Sequence, residues 1–188
     1  MTENRNHGFR IRFYFGLILI IAACVIGFFN LQKPDAKKIY EEANALDFRT
    51  SNDESALKIT DISKEPVIEV DKGKTYIYIV EYEKAGTSKG KEPGYIGLEL
   101  TKEDAAKLVA KADTMQDNPE YVYGTIIYSY RNKHAIQNYS DLITQAFKNY
   151  NLLQAGAETQ FYFSQTEASS AKKGGLMVAA GLTLAGLV

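Results

Sequence analysis

A single cysteine, Cys24, is all the thiol chemistry this chain possesses. One thiol excludes an intramolecular disulfide and any metal site built from cysteines. Histidine is nearly as scarce: His7 lies in the N-terminal tail and His134 beside Lys133 in a polar stretch, so a multi-histidine metal site is excluded too. No Gly-x-Ser-x-Gly elbow is present to sharpen a serine into a nucleophile. "GTSKGK" at 86–91 falls short of a phosphate loop, because three rather than four residues separate its glycines and Glu92 stands where Ser or Thr would hold magnesium. The paired acids Glu41/Glu42 and Glu103/Asp104 fall on predicted helices, where acids cap or solvate. No cofactor motif and no catalytic constellation remain. Asn138-Tyr139-Ser140 is a glycosylation sequon, relevant only to a lumenal domain of a eukaryotic protein.

A basic excess is missing as well. Lys and Arg number 22 against 23 Asp and Glu, for a net charge of −1. With Arg5, Arg10, Arg12 and Glu3 set aside, residues 31–188 keep 19 basic and 22 acidic side chains, a net of −3. Modules that bind nucleic acid carry positive charge, so nucleic acid is not an expected partner.

What the chain does have is apolar ends around a charged middle. "FYFGLILIIAACVIGFF", from Phe13 to Phe29, runs for seventeen residues without a charge. As a helix it spans roughly 25 Å, and Leu31 extends it toward the ~30 Å of a hydrocarbon core. Phe13, Tyr14, Phe28 and Phe29 place rings at both ends, where the headgroups lie. Behind a short basic tail at 1–12, residues 13–31 therefore read as a transmembrane helix. A soluble core helix would need a polar side, which this run lacks. Ile21-Ala22-Ala23-Cys24 also has the residue types of a lipobox, with Cys24 the lipidation site. Against that, Val25, Ile26, Phe28 and Phe29 continue the apolar run past the place where a signal peptide ends. Arg5, Arg10 and Arg12 favour a cytoplasmic N-terminus and an extracytoplasmic middle domain at the cell membrane, although Lys33, Lys37 and Lys38 reduce the contrast.

"GGLMVAAGLTLAGLV" at 174–188 is the second apolar run, following a linker at 165–173. Its fifteen residues make only about 22 Å of helix. It reads as a second membrane helix, either cut short or locally thinning the bilayer; an interfacial segment is the alternative, but no polar face is present for it to turn to water. Gly181 and Ala185, four apart, would let another helix approach closely.

Between the runs, 32–55 reads as a helical stalk ("DAKKIYEEANAL") and a polar linker. A folded domain is expected over 56–164. "ALKITDI" alternates like a strand. "VIEV-DKGK-TYIYIVEYE" reads as a hairpin turning at Gly73, and "YIGLEL" puts Ile96, Leu98 and Leu100 on one face. Thr101 is an N-cap, with Asp104 three residues on, for a helix whose apolar stripe is Ala105, Leu108, Val109, Ala112 and Met115 and whose stop is Asn118-Pro119. "YVYGTIIYSY" is a strand in which Gly124 marks a bulge or a close backbone approach. A second amphipathic helix starts at Ser140 and ends at Gly156, and "TQFYFS" closes the domain. The expected class is α+β. Five antiparallel strands with one or two helices, one of them between the third and fourth strands, resemble the small barrel of oligonucleotide/oligosaccharide-binding (OB) domains. An open antiparallel sheet with helices on one face is the other solution.

Thirteen tyrosines are the unusual asset. Tyr76, Tyr78 and Tyr82 share one face of a strand, and Tyr121 and Tyr123 share a face of another. Such rows stack glycans or bases when exposed, and cover a half-buried sheet when not. In layout, "TYIYIVEY", "YIGLELTKEDAAKLVAKA", "VYGTII" and the two terminal runs resemble poorly characterised small membrane proteins of Gram-positive bacteria that set an OB-like domain between two hydrophobic segments. That resemblance implies no activity. The expected protein is a non-enzymatic binding or scaffolding module, partnered by the bilayer and by other membrane or envelope proteins. A glycan-binding module using the tyrosine rows is the alternative, and an enzyme built from scattered acids and tyrosines a third.

Overall fold

The computed structural model describes residues 14–26, 28, 34–42, 54–83, 93–130, 136–153 and 156–166. The chain falls into two units, Met1–Lys33 with Ser169–Val188, and Pro34–Ala168. In the first unit, 14–26 form helix α1. Among the described residues no helix is long and apolar enough to cross a membrane. The expected span of 13–31 is described over 14–26 and at residue 28, and the run 174–188, "GTSKGK" and His134 lie outside the described residues.

The second unit is α+β. Helix α2 (Ala36–Glu42) starts at Asp35, whose Oδ1 accepts from the Lys38 amide at 3.1 Å. Strands β1 (Glu54–Ile62), β2 (Ile68–Val70), β3 (Thr75–Glu83) and β4 (Pro93–Thr101) follow, then helix α3 (Lys102–Val109), β5 (Glu120–Tyr128), helix α4 (Tyr139–Asn149) and β6 (Ala157–Ser164). The order in the sheet is β1-β5-β6-β4-β3-β2, and β1 pairs with β3 as well, so the six-stranded sheet is partly ringed. A bulge between Ile59 and Asp61 lets β1 serve two neighbours: Glu54–Ile59 lie along β5, and the end of the strand lies along β3.

Two expectations about the sheet need correction. The sheet has six strands rather than five, because Ile68–Val70, the first arm of the expected hairpin, pairs with β3 as an edge strand of its own. The sheet is also not wholly antiparallel, because β4 and β6 run parallel. A parallel neighbour needs a long crossover, and the segment carrying α3, β5 and α4 provides it.

The local signals explain the elements. The Thr101 hydroxyl accepts from the Asp104 amide at 3.2 Å and donates to its carboxylate at 2.8 Å, capping α3 as expected. That helix ends at Val109, earlier than Asn118-Pro119. A 3₁₀ turn at Ala112–Thr114 takes over, and the Thr114 hydroxyl donates to the Lys111 carbonyl in competition with the α-helical ladder. The turn drops Met115 fully into the core. Helix α4 stops at Asn149 rather than near Gly156. Asn151 takes φ +57, the Leu152 amide donates to the Phe147 carbonyl and the Asn151 amide to the Lys148 carbonyl, which together make a Schellman ending.

The sheet has apolar side chains on both faces. One face carries Leu57, Ile59, Tyr78, Val80, Tyr82, Ile96, Leu98, Leu100, Val122, Ile126 and Phe163, closed by Ala105, Leu108 and Met115. The other carries Ile77, Ile79, Ile127 and Tyr162 under Tyr139, Ile143, Ala146 and Phe147 of α4. Each large aliphatic or aromatic side chain so buried contributes about 1.5–3 kcal/mol. Gly124 is a close approach and not a bulge: a Cβ there would collide with the Phe163 ring and the Ser164 carbonyl.

Candidate functional site

The two tyrosine rows do not form one surface. Tyr76, Tyr78 and Tyr82 share a face of β3, and that face looks into the first core, where Tyr82 is 0% exposed and Tyr78 9%. Tyr76 packs against the same cluster. Strand β5 sends Val122 and Ile126 into that core, so the half-buried Tyr121 and Tyr123 lie on its other side. Tyr121 meets Tyr40 of α2 edge-on, with ring centroids 5.5 Å apart. Stacking a base or sugar needs open ring faces in a row, which Tyr78 and Tyr82 do not offer.

Burial also decides the chemistry of the phenols. It raises Tyr82, with the charge of Glu158 adding to the effect. It raises Tyr139, whose hydroxyl rests against Gly97. Tyr95 is pushed up to about 12, first by burial, then by its 2.8 Å bond to Glu81 and the charges of Glu81 and Asp61. All three are therefore protonated at neutral pH, and none is poised as a general base.

The second face of the sheet holds two carboxylates that tie strands together. Glu99 on β4 is buried; Thr75 on β3 donates to its Oε1 at 2.8 Å and Ser164 on β6 to its Oε2 at 2.6 Å. Glu81 accepts from Thr60 on β1 at 2.9 Å and from Tyr95 on β4 at 2.8 Å. Each carboxyl group is satisfied by hydroxyls from two neighbouring strands, as a polar group drawn away from water requires. Neither was singled out in the sequence. The available signal was a lone acid inside an apolar run, in "YIGLEL" and "YIVEY".

A cleft of about 170 Å³ between α3 and β5 is walled by Asp104, Lys107, Lys111 and Glu120. It is smaller than the ~300–1,000 Å³ of ordinary ligand pockets. Its lysines are engaged, Lys111 with Glu120 at 2.8 Å and Lys107 with Glu103 at 2.6 Å. Among the described residues no three His, Cys, Asp or Glu are grouped to hold a metal ion.

Among the described residues, most of the exposed large apolar side chains are on α1. Phe15, Leu17, Ile18, Ile21 and Val25 are exposed, with Phe15 at 64%. At 100° per residue they fall on one side of the helix, and no charge interrupts them. Monomeric proteins in water rarely expose a continuous apolar face of this kind. Cys24 is exposed on the same helix, which continues through it to residue 26. No protein-family model, curated protein or solved structure matches this chain.

Proposed function

We propose that this protein is a membrane-anchored, non-enzymatic binding or scaffolding module of the cell envelope. The observation that carries the reading is the outward face of α1, where five large apolar side chains stand exposed and only an apolar medium would cover them favourably. Arg5, Arg10 and Arg12 ahead of the helix favour a cytoplasmic N-terminus with residues 34–168 outside, against a smaller pull from Lys33, Lys37 and Lys38. Other membrane or envelope proteins are its partners, in keeping with the Gram-positive proteins it resembles in layout.

The module itself is an OB-like barrel. Support comes from the succession of pairs β1–β5, β5–β6, β6–β4, β4–β3 and β3–β1, and from α3 between the third and fourth strands of that circuit. OB domains take ligands on the face of their second and third strands. Here these are β3 and β4; Tyr139, at the start of α4, rests against Gly97 of β4, and Ile77 and Ile79 of β3 belong to the apolar cluster that α4 completes. Apolar cover on part of that face supports a scaffold over a glycan reader.

Alkaline carbonate extraction of membranes from cells making the full chain tests the anchor. The protein should stay with the membrane pellet, and a variant lacking both residues 1–33 and residues 174–188 should move to the supernatant. Recovery of the intact full-length chain from the supernatant overturns the reading. Protease added to intact cells should then cut the Pro34–Ala168 unit, and protection of that unit would reverse the orientation.

A further inference from the structure

Helix α1 is covered on one side only. Its sole buried residue among 14–26 is Ala23, 4% exposed, and the half-buried positions around it are Gly16, Leu19, Ile20 and Ile26. These five recur at helical spacing and make a stripe about 120° wide, opposite Phe15, Leu17, Ile18, Ile21 and Val25, with half-buried Ala22 at its margin. Small residues at the centre of a buried stripe are where a second backbone approaches closely.

We propose that the occupant of this stripe is the chain's own C-terminal run, residues 174–188, so that the two apolar ends form an antiparallel hairpin. The unit that contains α1 consists of Met1–Lys33 and Ser169–Val188, so the choice within it is narrow. The tail "TENRNHGFRIR" and the segment "NLQK" are too polar for an apolar stripe. The run 174–188 has no charge, and its fifteen residues make about 22 Å of helix against roughly 20 Å for residues 14–26. Gly181 and Ala185, one turn apart, are small, as Gly16 and Ala23 on the covered stripe are. In a bilayer this fit matters more than hydrophobicity, because lipid is as apolar as leucine and association rests on close packing. The inference relies on the anchor reading for its medium. It adds that the chain leaves the hydrophobic unit after Lys33 and returns to it at Ser169.

Cysteine pairing in membranes carrying the full chain tests this. In a Cys24→Ser background, Ala23→Cys on the covered side is combined in turn with a cysteine at each position from 177 to 185. The same series is built with Ile18→Cys on the exposed side. A disulfide needs Cα atoms about 4.4–6.8 Å apart. After treatment with a membrane-permeant oxidant, the Ala23→Cys series should give an intrachain product, seen as a mobility shift of the monomer that reverses on reduction. It should recur every three to four positions, and the Ile18→Cys series should lack it. Three outcomes overturn the hairpin: no intrachain product at any position, equal yield from both series, or product only as a disulfide-linked dimer, which assigns the stripe to a second copy. Carbonate extraction of the same samples keeps the two readings apart. A retained chain without the intrachain product sinks the hairpin and leaves the anchor, whereas an extracted chain that still forms it sinks the anchor and leaves the hairpin.

Discussion

Helices α1 and α4 are built from similar apolar residues and solve opposite problems. Helix α4 turns Tyr139, Ile143, Ala146 and Phe147 into the sheet and shows Asp141, Gln145, Lys148 and Asn149 to water, with Gln145 and Asn149 hydrogen-bonded at 3.2 Å. Protein completes one side and solvent the other. Helix α1 has a covered stripe too, yet its outward side is as apolar as its inward one. Five large exposed side chains correspond to something on the order of 10 kcal/mol for transfer out of water. Whether a helix has a polar side, and not how many apolar residues it contains, tells which medium it belongs to.

The comparison breaks most visibly at Phe147. This ring is fully buried between α4 and the sheet. Phe147→Ala should cost about 3–5 kcal/mol, a large part of the ~5–15 kcal/mol that holds such a domain folded. Urea unfolding of the detergent-solubilised full chain, followed by circular dichroism, reads the loss as a lower midpoint. Phe15→Ala on α1 should leave that midpoint where it was. Equal losses from both would mean that the two helices are not used differently.

Why α4 was easier to place than the tyrosines follows from the same two-sidedness. The cap at Thr101, the hairpin before β3 and the stripe of α4 were legible because a single local pattern decides each of them. Strand β3 is different: Tyr78, Val80 and Tyr82 enter one core and Ile77 and Ile79 the other. With both faces buried, alternation no longer tells which face is outside, so a tyrosine row that reads as a ligand surface ends up as interior. The parallel β4–β6 pair was hidden for another reason, since pairing direction is a property of the whole path between strands. The end of α4 was misplaced because glycine is the commoner left-handed residue, and Asn151 takes that conformation before Gly156 is reached. Buried Glu99 needs Thr75 and Ser164 from distant parts of the chain, and no local pattern announces such partners.

A charge on the outward side of α1 sharpens the contrast from the other direction. Ile18 is 62% exposed there. Ile18→Arg should weaken membrane insertion by about 3 kcal/mol while leaving the unfolding midpoint of the module unchanged. The fraction of chain retained after carbonate extraction measures it. Phe147→Ala should show the converse pattern, with retention intact and the midpoint lowered. If Ile18→Arg stays fully in the pellet, the outward side of α1 does not face lipid.

The smallest effect lies at the tip of the β2–β3 hairpin, where only the module should respond. The Gly73 amide donates to the Val70 carbonyl at 3.1 Å, and the two residues between them, Asp71 and Lys72, have φ of +48 and +56. Positive φ at both central positions is the mark of a type I′ turn, which favours Asn-Gly or Asp-Gly. A left-handed conformation costs a side-chain-bearing residue such as Lys72 roughly 1–2 kcal/mol. Lys72→Gly removes that strain and creates the preferred Asp-Gly pair, against about 0.5–1 kcal/mol for the extra freedom of glycine in the unfolded chain. The net gain should be about 0.5 kcal/mol, read as a small rise in the urea midpoint with no change in membrane retention. A fall in the midpoint would show that the Lys72 side chain holds the hairpin by contacts that outweigh its backbone strain. A change in retention would mean that the hairpin and α1 are energetically coupled.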